Sequence, residues 1–231
     1  MQHQRLVTLL ETAIIAAFAM ALEYLPHSAG ISGLQFSYGL IPIAVLAYRR
    51  GLLPAVSAGL TWGLLDMVLR GFGDGGVLNP LQGIIEYPVA FAAAGLMGLV
   101  YPWMQRALKQ HQTSKAVGIG IVGFAIGAGV KYLFHFLAGW IYWGSYAPKG
   151  WPAWQWSLFV NGGSAVMNLI LGTVLLVLMI PIGRQLFVTQ TAQKLTSAKI
   201  ISASATWKPA LTIFFNALCS TDGHKKESRL N

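Results

Sequence analysis

The chain has 231 residues, of which 55% are hydrophobic and 10% are charged, and its formal net charge is +9. Soluble domains carry about 25% charged residues, so this composition excludes an ordinary soluble protein and indicates an integral membrane protein. The basic residues lie in short loops and in the C-terminal tail, a distribution that fits membrane orientation and argues against nucleic-acid binding.

Apolar runs of about 20 residues, the length that crosses the hydrocarbon core of a bilayer as a helix, recur along the chain. Short breaks rich in Pro, Gly, Arg and Lys separate them. The sequence therefore predicts an all-α integral membrane protein with six transmembrane helices. We expect them over residues 6–25, 36–48, 52–69, 78–103, 116–143 and 154–180.

The first predicted span carries the small residues Ala13, Ala16, Ala17 and Ala21, which we expect on one helix face. Small residues at this spacing let a second helix approach closely in lipid. That second helix can belong to this chain or to a separate protein, and the spacing does not decide between the two.

The middle spans carry isolated polar groups. In the third span, Trp62 and Asp66 are four residues apart and therefore share a face, and the fourth carries Glu86, Tyr87 and Pro88 in its first third. The fifth begins with glycines that suit close packing between helices, at positions 118, 120, 123, 127 and 129.

Lysine and arginine are distributed unevenly between the predicted loops. Seven lie on one side, namely Arg5, Arg49, Arg50, Arg106, Lys109, Lys115 and Arg184, and two lie on the other, namely Arg70 and Lys149. By the positive-inside rule the richer side is cytoplasmic. Both termini are therefore predicted to face the cytoplasm, with Glu86 and Trp143 near the outer ends of their helices.

The chain becomes polar and basic beyond about residue 188. We interpret residues 1–188 as a membrane substrate-binding domain, and residues 189–231 as a disordered extension or cloning-derived sequence. The single cysteine, Cys219, lies in this tail, which excludes a disulfide framework and a cysteine-based metal site.

Five ionisable residues fall inside the predicted spans: Glu11, Glu23, Asp66, Glu86 and Lys131. Such groups are costly in lipid, so they face a cavity, a partner or the interface. We expect Glu11 and Glu23 to snorkel to opposite interfaces. Glu86 is predicted to contact a ligand, the alternative being an ion pair with Lys131. Lys131 itself is expected to serve packing or to snorkel.

Residues 131–161 gather a histidine, several tryptophans and an amide at the junction of the last two spans. His135, Gly139 and Trp143 are spaced by four residues and form one stripe, in which the glycine is expected to leave a gap for a planar ligand. A satisfied core histidine and an interfacial tryptophan belt are the alternatives. With Glu86, Trp156 and Asn161, the stripe predicts a site for a flat organic cation.

The sequence contains no Walker A motif, no nucleophile elbow, and no metal-spaced Cys or His cluster. We therefore expect neither a cofactor nor an ATPase within this chain. Any pumping has to draw on an ion gradient or on a partner's ATP.

Several motifs carry a resemblance to a known family. They are L-x-W-G-x-L at residues 60–65, I-E-Y at residues 85–87, and K-Y-x-F-H-F-x-A-G-x-x-x-W from residue 131, followed by Y-A-x-K-G-W and S-L-x-x-N-G. From about residue 5 to 187 the chain resembles the thiamine-specific substrate-binding (S) components of energy-coupling factor (ECF) transporters.

The resemblance implies a protein that captures thiamine from outside the cell and works with a membrane coupling subunit, contacted through Ala13 and Ala17, and two cytoplasmic ATPases. His135 and Trp143 would flank the thiazolium, while Glu86 and Asn161 would hold the aminopyrimidine. The full set of implied binding residues is Glu86, Tyr87, His135, Gly139, Trp143, Trp156 and Asn161.

Two positions depart from the family pattern, with Ser37 in place of a glutamate and Trp156 in place of a tyrosine. Two other functions stay open. One is an autonomous proton-coupled thiamine carrier. The other is an intramembrane enzyme using Glu86 and His135 as acid and base, which the missing nucleophile and metal ligands weaken.

Overall fold

The computed structural model describes residues 2–26 and 33–189. Over these residues the chain folds into helices without any strand, which confirms the predicted all-α class for this part of the chain. The helices are α1 (Gln2–Leu22), α2 (Leu40–Arg50), α3 (Leu52–Gly71), α4 (Pro80–Lys109), α5 (Thr113–Tyr142), α6 (Ala153–Ile182) and α7 (Arg184–Phe187).

Five of these helices, α1 and α3 to α6, are long and apolar enough to cross a membrane. The second helix has 11 residues, which is short of the about 20 that a full crossing requires. Five of the six predicted spans therefore have a matching helix of sufficient length. The sixth crossing and the cytoplasmic placement of both termini stay predictions.

Three of the long helices contain a π-helical turn, in which one extra residue is accommodated. These turns are Met67–Gly71 in α3, Ile85–Val89 in α4 and Leu158–Gly162 in α6. In α4 the turn includes Pro88, whose ring nitrogen cannot donate the hydrogen bond of a regular helix. The apolar pattern of the sequence gave no indication of the three turns.

Helix α5 packs against both α4 and α6, and α1 packs against α2 and α3. At Gly127 the missing side chain lets α5 lie close to α4, because an added Cβ would lie 2.4 Å from the Ala94 carbonyl oxygen. Gly120 and Gly123 also face neighbouring side chains, whereas Gly118 and Gly129 face open space. The predicted role of glycine in packing is thus confirmed for three of the five positions.

The alanines of α1 do not share one face. Ala16 is fully buried, whereas Ala13, Ala17 and Ala21 are exposed. At about 100° per residue, Ala16 is rotated by about 60° from Ala13, about 100° from Ala17 and about 140° from Ala21, which turns it toward the bundle. The predicted four-alanine face is therefore wrong, and three of its members form an exposed strip on α1.

A polar cluster joins three helices at the end of α2. Glu11 pairs with Arg49 at 3.2 Å and with Arg50 at 2.5 Å, so the snorkelling expected for Glu11 is replaced by ion pairs. Arg49 also donates to the carbonyl oxygens of Gln185 and Leu186. These contacts fasten α1 and α7 to α2.

The Gln105 side chain forms a second connection at the same end. Its amide nitrogen donates to the carbonyl oxygens of Tyr48 and Phe187, at 2.7 Å each. Gln105 is 4% exposed, so both hydrogen bonds are shielded from water. The predicted tail of residues 189–231 lies outside the described residues except for Thr189, and its disorder stays a prediction.

Candidate binding cavity

A cavity of about 510 Å³ lies among α3, α4, α5 and α6, with the segment of residues 33–37 along one side. All seven residues predicted to bind a ligand contribute to its lining: Glu86, Tyr87, His135, Gly139, Trp143, Trp156 and Asn161. The volume falls in the range of about 300–1,000 Å³ that small-molecule sites occupy. The structure thus places these seven residues, which span 76 positions of the sequence, around one cavity.

Glu86 is held by two donors that meet the same carboxylate oxygen. Its Oε2 accepts from the Trp143 indole Nε1 at 3.0 Å and from the Gln82 side-chain amide. The Gln82 amide also donates to the Gly76 carbonyl oxygen, and its Oε1 accepts from the Leu78 backbone N–H. Among the residues described, no donor meets the Oε1 atom of Glu86.

Aromatic rings form much of the remaining wall. Tyr87 stacks on Phe91 with centroids 6.3 Å apart, and Trp143 lies 5.1 Å from Tyr146. Trp156 stacks on Phe159 at 5.7 Å. Phe91 and Tyr146 also line the cavity and were missed from the sequence, because neither belongs to the spaced stripe on α5.

Gly139 is packed against α6. A Cβ added there would lie 2.4 Å from Ser157 Oγ and 3.0 Å from Asn161 Nδ2. The gap predicted between His135 and Trp143 is therefore filled by another helix, and that part of the prediction is wrong. The glycine instead lets α6 come close enough for Asn161 to reach the cavity.

His135 contacts Lys131, with 3.1 Å between Nε2 and Nζ. Lys131 is 3% exposed, and its Nζ lies 4.4 Å from the Phe91 ring centroid and 4.7 Å from that of Tyr132. In the described part of the chain Lys131 forms no ion pair within 4.0 Å, so the proposed pairing with Glu86 is not seen. Lys131 nonetheless lines the cavity, beyond the packing role expected of it.

A second polar group on the cavity wall was not predicted. Arg70 Nε lies 2.5 Å from Asp66 Oδ1, and its Nη2 lies 3.4 Å from Glu23 Oε2. Glu23 is 5% exposed and lines the cavity, so the snorkelling expected for it is wrong. The four-residue spacing of Asp66 and Arg70 was a usable sign of their pairing, but Arg70 was counted as a loop residue.

The segment of residues 33–37 is tied to α6. Ser37 N–H donates to Asn168 Oδ1 at 2.8 Å, and Gln35 N–H donates to Ser164 Oγ at 3.0 Å. The Ser37 hydroxyl also donates to Glu23 Oε1 at 3.2 Å. These contacts build the wall formed by this segment and connect it to the carboxylate of Glu23.

The formal charges around the cavity do not cancel. Among the described lining residues, Glu23, Asp66 and Glu86 are acidic, while Arg70 and Lys131 are basic. With a neutral His135 the excess is one negative charge. A ligand with a single positive charge would balance it, and the surrounding rings would stabilise that charge through cation–π contacts.

Each of the three π-helical turns contributes a polar group to this cavity. Arg70 lies in the turn of α3, Glu86 in that of α4 and Asn161 in that of α6. Single π-helical turns occur often at functional sites. Their coincidence around one hollow supports a ligand-binding role for it.

Comparison with known proteins gives consistent results. The family model "Thiamine transporter protein (Thia_YuaJ)" matches residues 9–188. The thiamine transporter ThiT of Lacticaseibacillus paracasei is 53% identical over 196 residues, which are 85% of this chain and 98% of that protein. The thiamine transporter ThiT of Bacillus subtilis is 33% identical over 181 residues, covering 77% of this chain and 92% of its own.

A solved structure is also similar. The structure of ThiT from Listeria monocytogenes superposes with a TM-score of 0.74 and is 36% identical in sequence. The match covers 80% of this chain and 98% of the solved chain.

Proposed function

This chain belongs to the thiamine transporter protein family Thia_YuaJ, and on that premise we propose that it captures thiamine in the cavity as the substrate-binding subunit of an ATP-driven ECF importer. Family membership makes the chain a multi-pass cell-membrane transporter and not an enzyme. The site, the mode of capture and the coupling partners are the proposed part.

The arrangement of Glu86 is the observation that carries the proposal. Trp143 and Gln82 fix one carboxylate oxygen of Glu86, the other accepts from no donor among the described residues, and Glu86 lines the cavity. Thiamine has an aminopyrimidine that can donate to such an oxygen and a thiazolium that carries one positive charge. Glu86 and Asn161 would hold the aminopyrimidine, while His135 and Trp143 would flank the thiazolium. Tyr87, Gly139 and Trp156 would complete the walls.

Replacing Glu86 tests the site. Glu86→Gln keeps the shape but removes the charge, so the charge-assisted hydrogen bond to the ligand is lost. We expect thiamine affinity to fall by about ten- to a hundredfold, measured by intrinsic tryptophan fluorescence of the purified protein. Riboflavin and biotin serve as ligand controls. Unchanged thiamine affinity in a folded Glu86→Gln variant would remove Glu86 from the site.

Two features support coupling to separate ATPases. The sequence contains no nucleotide-binding motif, and α1 exposes a strip that includes Ala13 and Ala17. In lipid, small exposed residues allow a partner helix to approach closely. A membrane coupling subunit with two cytoplasmic ATPases fits both features.

Reconstitution separates this mechanism from a proton-coupled carrier. In proteoliposomes we expect thiamine uptake only when the coupling subunit, the ATPases and ATP are all present. Collapse of the proton gradient at constant ATP should leave that uptake unchanged. Uptake by this chain alone, driven by a proton gradient, would contradict the ECF assignment.

A further inference from the structure

Lys131 has an unusual set of neighbours for a buried amine. It is 3% exposed, and its Nζ lies over the faces of Phe91 and Tyr132 and 3.1 Å from His135 Nε2. The acidic side chains of Glu23, Asp66 and Glu86 line the same cavity. The ring faces and the acidic groups of the same cavity oppose the cost of burial and favour an amine that is positively charged.

A charged ammonium group has three N–H donors and no acceptor. The contact with His135 therefore requires a lone pair on Nε2, and the proton of the neutral imidazole has to be on Nδ1. A doubly protonated ring would bring two cations within 3.1 Å of each other, which is unfavourable.

From this geometry we propose that Lys131 is a positioning residue that holds His135 as the neutral Nδ1–H tautomer. Within residues 2–26 and 33–189, no protein group pairs with Nδ1. His135 then offers a ligand one N–H donor and no positive charge. The inference rests on the proposed thiamine site and adds a reason for its specificity. His135 would favour a ligand cation that carries a hydrogen-bond acceptor opposite Nδ1.

Two consequences follow for recognition. A neutral imidazole can lie against a thiazolium without repelling it, whereas an imidazolium could not. The fixed tautomer also discriminates against analogues with a donor where thiamine presents an acceptor, because two facing donors leave both groups without a partner. Lys131 would act in both cases through His135.

The tautomer can be read directly by NMR. In the full chain labelled with ¹⁵N-histidine and held in detergent without ligand, we expect the His135 proton on Nδ1, identified by one-bond ¹⁵N–¹H coupling. Loss of the resonance in His135→Gln assigns it. A wild-type spectrum with the proton on Nε2 would overturn the proposal, and this result needs no variant of Lys131.

Variants of Lys131 test the cause. Lys131→Arg retains a donor-only cation and should keep the Nδ1–H tautomer. Lys131→Met should lose the tautomer preference and weaken thiamine binding by about tenfold, whereas Lys115→Met, an exposed lysine on the same helix, should change neither. An unaltered tautomer and affinity in Lys131→Met would contradict the proposal. Since the tautomer is measured without ligand, a failure of thiamine binding is a separate result.

Discussion

Gly139 shows how the absence of a single side-chain carbon sets the position of a neighbouring helix at the cavity. Its missing Cβ leaves the space that Ser157 and Asn161 occupy on α6. The residue therefore acts on the ligand through the position of α6, and its contribution is steric.

We expect Gly139→Ala to weaken thiamine binding by about tenfold, because the added methyl group forces Ser157 and Asn161 outward. Gly129→Ala is the matched control, since it lies on the same helix and its Cβ would meet no atom within 4 Å. Isothermal titration calorimetry of both variants provides the comparison. Equal affinities would show that α6 can move without disturbing the site.

The sequence was informative where the site depends on spacing within one helix. His135, Gly139 and Trp143 recur every four residues, and the structure brings all three to the cavity. It was uninformative where the site depends on pairing between distant segments, as for Ser37 and Asn168, which are 131 positions apart. Glu23 was misjudged for the same reason, since its partner Arg70 lies on α3, 47 positions away.

At the scale of helices, five of the six predicted spans agree with long helices because hydrophobic length is a property of the sequence alone. The π-helical turns are different. The turn of α3 ends its helix, whereas those of α4 and α6 lie inside theirs, so no common break in composition marks the three. Pro88 was the one local sign, and it marks a single turn of the three.

The exposed strip of α1 leads to a prediction about assembly. Ala17→Leu places a larger side chain where a partner helix would approach, so we expect binding to the coupling subunit to weaken by about tenfold or more. Thiamine affinity should be unchanged, because Ala17 does not line the cavity. Co-purification with the coupling subunit and ATPases measures assembly.

Gly129→Leu is the control for added bulk, because position 129 is exposed on α5 and its Cβ would meet open space. We expect it to assemble like the wild type. Equal assembly of Ala17→Leu and the wild type would mean that the coupling subunit uses another face.

For the whole molecule, Arg70 links α3 to the residue that follows α1. It pairs with Asp66 on its own helix and with Glu23 beyond the end of α1, and it also donates to the Glu23 carbonyl oxygen at 3.2 Å. Because both carboxylates are almost fully buried, removal of this guanidinium would take a charged partner away from each of them.

We therefore expect Arg70→Met to lower the free energy of unfolding by about 3 kcal/mol, the lower end for removal of one partner from a buried ion pair. The double variant Asp66→Asn with Arg70→Met should recover part of that loss, because one unpaired charge is removed as well. Thermal unfolding in detergent measures both. Arg106→Met, at an exposed arginine, is the control, and a Tm for Arg70→Met equal to that of the control would show that the buried carboxylates do not need Arg70.

The two hydrogen bonds from Gln105 have a practical consequence for how the protein is handled. They secure the Phe187 carbonyl to α2 and α4 two residues before the described chain ends. A fluorescent protein or purification tag joined after residue 189 would thus begin from an anchored point of attachment. A mechanical force on such a fusion would act on the hydrogen bonds of Gln105 before it reached the residues that line the cavity.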